Sequence, residues 1–92
     1  MEWENKVEMI RLLNNGLYEE AVKKFGEEKD WDEQAIEMFT LGFDLNRCEL
    51  LEPIKDRILS VQSSDFRTAM RLAVIYNHFL PYESNFEIKF LS

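Results

Sequence analysis

The chain has only one cysteine, one histidine, three glycines and two prolines among its 92 residues. A single Cys48 cannot form a disulfide within the chain. Together with the absence of a signal-peptide pattern at the start, it predicts a reducing, cytoplasmic compartment. The scarcity of glycine and proline argues against a many-turned β protein and favours long helices. No apolar run approaches the ~20 residues of a membrane span, so we expect no membrane partner.

Motifs for chemistry are also missing from the sequence. One cysteine and one histidine cannot supply the ligands of a structural zinc site. The chain contains no Walker loop, dinucleotide-binding glycine pattern, HExxH motif or nucleophile elbow. Asp30, Asp32 and Glu33 are close together, but the glycine and closing glutamate of a calcium loop are absent. These absences predict a protein that is not an enzyme and uses no cofactor or metal.

Acidic residues outnumber basic ones, 18 to 11, which gives a net charge of −7. The excess is concentrated in residues 1–37, with 11 acids and 5 bases. Such a surface repels phosphate backbones and disfavours direct binding of nucleic acid. It either keeps a small protein soluble or attracts a protein partner with a basic surface. Because 46% of the residues are hydrophobic, the chain is expected to fold rather than remain disordered.

Apolar residues at helical spacing predict five helices at 2–14, 17–28, 31–46, 50–62 and 65–80. In the first helix, Trp3 and Val7 belong to the predicted buried face. Gly16 is expected to cap its C-terminal end in the left-handed conformation. The third helix is apolar nearly all round, which predicts that it is the central element. Gly42 within it is tolerable where another backbone approaches.

Polar residues and prolines mark the expected helix ends. Asp30 with Glu33 has the pattern of a capping box at the start of the third helix. Pro53 is expected in the first turn of the fourth helix, where no backbone donor is lost. Ser63 and Ser64 are the N-cap candidates of the fifth helix, and Pro81 is expected to stop that helix.

The last residues follow a different period. Phe86, Ile88 and Phe90 alternate with Glu87 and Lys89, which is typical of a strand. The predicted fold is therefore an all-α, five-helix antiparallel stack, either a short α-solenoid or an irregular bundle. Residues 1–82 form the predicted helical domain and residues 83–92 an extended C-terminal tail. The tail is expected to fold back on the fourth and fifth helices, or to pair with another chain.

Four residues have the spacing of the second-helix signature of the tetratricopeptide repeat, namely Gly16, Tyr18, Ala21 and Phe25. Shifted by 33 residues, Leu41 and Gly42 stand where that repeat carries its Leu-Gly pair. The chain resembles about two and a half such repeats, with departures at Asn5, Glu8 and Met9. The resemblance implies protein–protein binding on a concave face and no catalytic residues. An irregular bundle with an accidental period is the alternative.

The acidic segment 27–37 carries six acids and one lysine around Trp31. Trp31 is a contact for an arginine-rich partner, or else it covers the first helix pair. The predicted partner-binding residues are Glu27, Glu28, Asp30, Trp31, Asp32, Glu33 and Glu37, with Phe86, Ile88 and Phe90 of the tail. We therefore predict a small, acidic, non-enzymatic interaction module, an adaptor, chaperone or inhibitor, either monomeric or homodimeric. The alternative is a mobile-element-type acidic inhibitor that imitates nucleic acid and blocks a nucleic-acid-binding or immune complex.

Overall fold

The structure, a computed structural model, describes residues 1–80. Its elements are α1 (Trp3–Asn14), α2 (Tyr18–Glu27), α3 (Glu33–Gly42), a 3-10 segment (Leu45–Ile54), α4 (Lys55–Ile58) and α5 (Phe66–Phe79). Residues 1–80 contain no strand, and the predicted all-α fold of five helices is confirmed. The predicted strand of the tail and the boundary after residue 82 lie outside the described residues.

Helices α1, α3 and α5 form a row. They begin at Trp3, Glu33 and Phe66, at intervals of 30 and 33 residues. Helix α3 packs against α1 on one side and α5 on the other, so it is the central element, as predicted. Helix α2 packs on α1 and on the 3-10 segment, which also contacts α5 and α4. The result is a stack of helical hairpins with a repeat-like interval.

The turn between α1 and α2 has the backbone geometry that the sequence predicts. Gly16 has a φ of 74°, which a residue without Cβ adopts at little cost. The Leu17 N–H donates to the Leu12 carbonyl, and the Gly16 N–H donates to the Leu13 carbonyl. These two bonds are those of a Schellman motif, which satisfies carbonyl groups left free at the end of a helix. The motif reverses the chain and sets α2 against α1.

An aromatic stack joins α2 and α3 in the core. Phe25 lies between Trp31 and Phe39, with ring centroids 4.0 and 4.4 Å away. Phe39 in turn stacks on Phe43 at 5.3 Å, and Tyr18 meets Phe43 edge-on at 5.4 Å. Phe25, Phe39 and Phe43 are all fully buried. Aromatic pairs contribute about 0.5–1.5 kcal/mol beyond the burial of their area, so this stack is a main source of cohesion between the two helices.

The predicted fourth helix, 50–62, is wrong in type and in bounds. A 3-10 helix occupies Leu45–Ile54, with a non-helical Arg47, and only Lys55–Ile58 is α-helical. Pro53 cannot donate the backbone bond that an α-helix requires, which favours a different winding of the residues around it. Leu51 and Ile54 of this segment are nevertheless buried.

The ends of α3 also differ from the prediction. Asp32, not Asp30, is the N-cap residue, and its side chain makes no capping bond. The predicted capping box of Asp30 and Glu33 is therefore absent, because α3 begins only at Glu33 and the Glu33 carboxylate accepts from Ser64. At the other end α3 stops at Gly42, and Phe43 is extended. A Cβ on Gly42 would meet Leu13 Cδ1 at 3.0 Å, so a side chain and not a backbone approaches there.

The N-cap residue of α5 lies one residue beyond Ser64, the later of its two predicted caps. Asp65 is the N-cap residue, and its carboxylate accepts hydrogen bonds from the N–H and hydroxyl of Thr68. The predicted cap Ser63 instead accepts a bond from the Asp65 N–H. These bonds hold the pKa of Asp65 below its ordinary value, the backbone bond from Thr68 being the largest cause.

The buried face of α1 is rotated from the predicted one. Trp3 is 62% exposed and Val7 is also exposed, whereas Lys6 is only 7% exposed. The predicted burial of Trp3 and Val7 is therefore wrong. Lys6 replaces them because its ammonium group has carboxylate and amide partners at the start of α3, and a buried charge requires such partners.

Candidate partner-binding surface

The loop between α2 and α3, residues 28–32, is the centre of the predicted binding segment. The Arg57 guanidinium donates hydrogen bonds to the carbonyls of Glu28, at 2.6 Å, and Lys29, at 2.8 Å. The same group lies 3.9 Å from the centre of the Trp31 ring. The Trp31 indole N–H donates to the Phe25 carbonyl at 2.8 Å. These contacts fix the loop to the end of α2 and to α4.

Trp31 uses both faces of its ring within the chain. Phe25 stacks on it with an interplanar angle of 3°. Arg57 also lies over the ring, and two planar groups cannot occupy the same face. The ring is thus held between an aromatic and a cation, in a geometry that favours attraction. Trp31 therefore packs on the end of α2, and both faces of its ring have partners within the chain.

A second set of contacts fixes the end of the loop to α1. The Lys6 ammonium donates to Asp32 Oδ2 and to Gln34 Oε1, both at 2.7 Å. The amino group of Met1 donates to Asp32 Oδ1 at 3.3 Å and to the Asp30 carbonyl at 3.1 Å. The hydrogen bond from Lys6 holds the pKa of Asp32 below its ordinary value, against an opposite effect of desolvation. Asp32 therefore serves within the fold as the ionised partner of Lys6 and of the terminal amine.

The other predicted acids differ in how far the chain already uses them. Glu28 accepts a hydrogen bond from Asn5 at 2.9 Å, and Glu33 accepts one from Ser64 at 2.6 Å. Asp30 is largely exposed and lies 3.7 Å from the terminal amine. Glu27 and Glu37 make no hydrogen bond or ion pair with the described residues. The predicted contacts Phe86, Ile88 and Phe90 lie outside the described residues.

An open groove of about 590 Å³ runs beside the start of α3. Its lining residues come from the α2–α3 loop, from α3 and from the segment before α5, and they are Trp31, Glu33, Ile36, Gln62, Ser63 and Ser64. Glu37 follows Glu33 by one helical turn, so both carboxylates lie on the same side of α3. We call this feature the α3 groove. Its lining includes one acid and two apolar side chains, which suits a basic side chain with a long aliphatic stem.

A smaller hollow of about 220 Å³ lies at the start of α2. Residues of the α1–α2 turn and of the 3-10 segment line it, namely Gly16, Leu17, Tyr18, Glu19, Glu20, Arg47 and Leu50. This hollow was not predicted from the sequence, because Arg47 and Leu50 belong to the 3-10 segment, whose winding was also not predicted.

Cysteine and histidine are often used in catalysis, and Cys48 and His78 both contact neighbouring groups of the fold. Cys48 is buried and donates to the Leu45 carbonyl at 3.1 Å, and burial raises the pKa of its thiol. His78 is exposed in the last turn of α5, edge-on to Phe79. In residues 1–80, no three His, Cys, Asp or Glu side chains are grouped so as to hold a metal ion. Within the same residues, no helix has the length and apolar character to cross a membrane.

The sequence did not predict the three cationic side chains that bind distant segments of the chain together. Besides Lys6 and Arg57, Arg71 of α5 donates to the carbonyls of Thr40, at 2.7 Å, and Phe43. Each of these contacts crosses 26 to 31 residues of sequence. Spacing within one helix carries no information about such distant partners.

No known family model, curated protein or solved structure matches the chain.

Replacing Arg57 by lysine is expected to lower the free energy of unfolding by about 1–2 kcal/mol. Lysine keeps the charge, but it cannot reproduce the planar fork that binds two carbonyls while stacking on Trp31. Urea unfolding of the variant measures the loss, and Arg67→Lys on the exposed side of α5 is the matched control. Equal stabilities of the two variants would contradict this role of Arg57.

Proposed function

We propose that this chain is a small non-enzymatic protein–protein interaction module, built as a tetratricopeptide-like stack of helical hairpins. The observation that carries the proposal is the α3 groove, where the apolar side chains of Trp31 and Ile36 lie beside the carboxylate of Glu33. Glu37 follows one helical turn further along α3. The near-equal intervals between the starts of α1, α3 and α5 support the repeat-like part of the proposal. So does the glycine turn at Gly16.

The partner that suits this surface presents lysine or arginine side chains. The chain carries a net charge of −7, which attracts a basic surface over a distance and raises the association rate. Because Phe25 and Arg57 occupy the two faces of Trp31, an incoming cation is expected at the carboxylates of Glu33 and Glu37. The edge of Trp31 then contacts the aliphatic part of the same side chain.

Imitation of nucleic acid draws less support from the contacts. A mimic needs carboxylates that remain available in place of phosphates. Here Asp32 is bound by Lys6, Glu28 accepts a bond from Asn5, and Glu8 is paired with Arg11. These acids satisfy groups of their own chain, which favours a binding module over a row of carboxylates that replaces phosphates.

Reversing the charge of the groove is expected to slow association with a basic ligand. The variant is Glu33→Lys with Glu37→Lys, and the probe is a fluorescein-labelled nona-arginine peptide followed by stopped-flow anisotropy at low salt. We expect an association rate constant about tenfold below that of the unmodified protein. The matched control is Glu19→Lys with Glu20→Lys, which changes the net charge equally at the far end of α2. It is expected to lower the rate only about twofold.

Equal reductions by the two variants would mean that net charge alone attracts the peptide, and the α3 groove would lose its role. Circular dichroism of both variants checks that the helices persist. Affinity capture from the native host with the same pair of variants, followed by mass spectrometry, then identifies the partners that depend on the groove.

A further inference from the structure

The outer side of α5 carries a row of exposed apolar side chains. Phe66, Met70 and Val74 are 75%, 56% and 46% exposed. They follow one another at intervals of four residues, so they lie on one face of the helix. We call this feature the α5 stripe. Helix α5 is the last described helix of the row, and the described residues leave this face uncovered.

An apolar outer face at the end of a helical stack needs a cover. Stacks of helical hairpins remain soluble when their terminal elements present polar outer faces. The α5 stripe departs from that pattern, with a phenylalanine as its most exposed member. The chain continues for 12 residues beyond Leu80, and this segment contains Phe86, Ile88 and Phe90.

The spacing of these three residues matches the stripe. In a helix, side chains four residues apart are separated by about 6 Å along the axis. In an extended chain, side chains two residues apart are separated by about 6.6 Å. An antiparallel segment therefore pairs Phe86 with Val74 and places the next two apolar residues beside the other two members of the stripe.

The segment between α5 and Phe86 is also long enough for Phe86 to reach Val74. Val74 lies about 9 Å back from Leu80 along the helix axis. Residues 81–85 span up to about 17 Å when extended, which leaves room for the chain to reverse. Pro81 directly after the end of α5 disfavours continuation of the helix and so favours a change of direction.

A second copy of the chain suits the stripe less well. Three side chains expose an area on the order of 300 Å², whereas a stable dimer buries ~800 Å² on each partner. A segment of the same chain needs no such area, because its attachment to α5 gives it a high effective concentration.

We propose that the α5 stripe is the docking site of residues 84–92 of the same chain. The segment lies extended and antiparallel to α5, with Phe86, Ile88 and Phe90 against the stripe and Glu87 and Lys89 toward solvent. The inference goes beyond the proposed function and does not depend on it, since the α3 groove and its peptide take no part.

Disulfide trapping tests the register. In a Cys48→Ala background, Met70→Cys is combined with Ile88→Cys, and the control combines Met70→Cys with Glu87→Cys. The full-length chains are equilibrated in a glutathione redox buffer, and intramolecular disulfide is measured by mass spectrometry. We expect an equilibrium constant for disulfide formation at least about tenfold higher for the 70–88 pair, since neighbouring residues of an extended segment point to opposite sides.

Equal constants for the two pairs would overturn the proposal, and so would a disulfide-linked dimer, which would assign the stripe to a second copy. A second measurement avoids cysteine. Deleting residues 84–92 is expected to speed amide hydrogen exchange in the outer part of α5 on the order of tenfold while the chain remains monomeric by light scattering. Unchanged exchange would equally overturn the docking.

Discussion

Replacing Phe39 by alanine is expected to lower the free energy of unfolding by about 3–5 kcal/mol. Phe39 is fully buried and stacks on Phe25 and on Phe43. Its removal therefore leaves a cavity between α2 and α3 and breaks the aromatic stack in the middle. Because α3 packs on both of its neighbours in the row, little of that cavity can close by movement of one helix.

Urea unfolding followed by circular dichroism measures this loss. Leu41→Ala in the same helix is the control, because Leu41 is exposed and is expected to cost less than about 1 kcal/mol. A similarly small loss for Phe39→Ala would show that α3 is peripheral to the core, which would contradict the packing described here.

Asp32→Asn is expected to lower the free energy of unfolding by about 1–3 kcal/mol near neutral pH. Removing one partner of a fully buried ion pair costs about 3–5 kcal/mol, and a carboxylate 36% exposed retains part of its hydration. The loss arises because the buried Lys6 ammonium then has only neutral amide oxygens and no carboxylate as acceptors. Combining Asp32→Asn with Lys6→Met is expected to recover much of it, since methionine fills the space without a charge.

The effect of Asp32 also has a defined pH dependence. Its pKa is lower in the folded protein than its ordinary value of 3.8, with the hydrogen bond from Lys6 as the largest cause. The pair therefore stabilises the fold fully above about pH 4, and this contribution is lost as the pH falls through the lower, folded pKa. The difference between the unmodified protein and Asp32→Asn should shrink over that range in urea titrations. A constant difference down to pH 2 would contradict the assignment.

Local patterns in the sequence predicted most of the helical framework. The turn at Gly16 after α1 follows from the φ that glycine tolerates, and the central place of α3 follows from its hydrophobic spacing. The intervals between α1, α3 and α5 are close to the 33-residue period of the predicted repeat. These features depend on residues a few positions apart, which a single sequence displays directly.

The remaining features depend on residues that are distant in sequence. Lys6 is buried only because Asp32 and Gln34 meet it, and Trp3 on the same helix is therefore exposed. Trp31 lies in an acidic segment, which left open both an outside arginine and the chain itself as its partner, and the chain supplies Arg57. Hydropathy patterns treat lysine and arginine as surface residues and cannot predict which of them has a partner in the fold.

The contacts of Arg57 and Arg71 bear on the order in which the chain folds. Arg57 donates to carbonyls just after α2, and Arg71 donates to carbonyls at the end of α3, each across 28 to 31 residues. During synthesis, which proceeds from the N-terminus, these carbonyls lack their protein donors until the distant arginine has left the ribosome. In long repeat arrays, each unit contacts only its neighbours and folding propagates from one to the next. Here the ends of α2 and α3 gain these hydrogen bonds only from arginines that come later in the chain. This dependence favours folding of the whole stack as one cooperative unit.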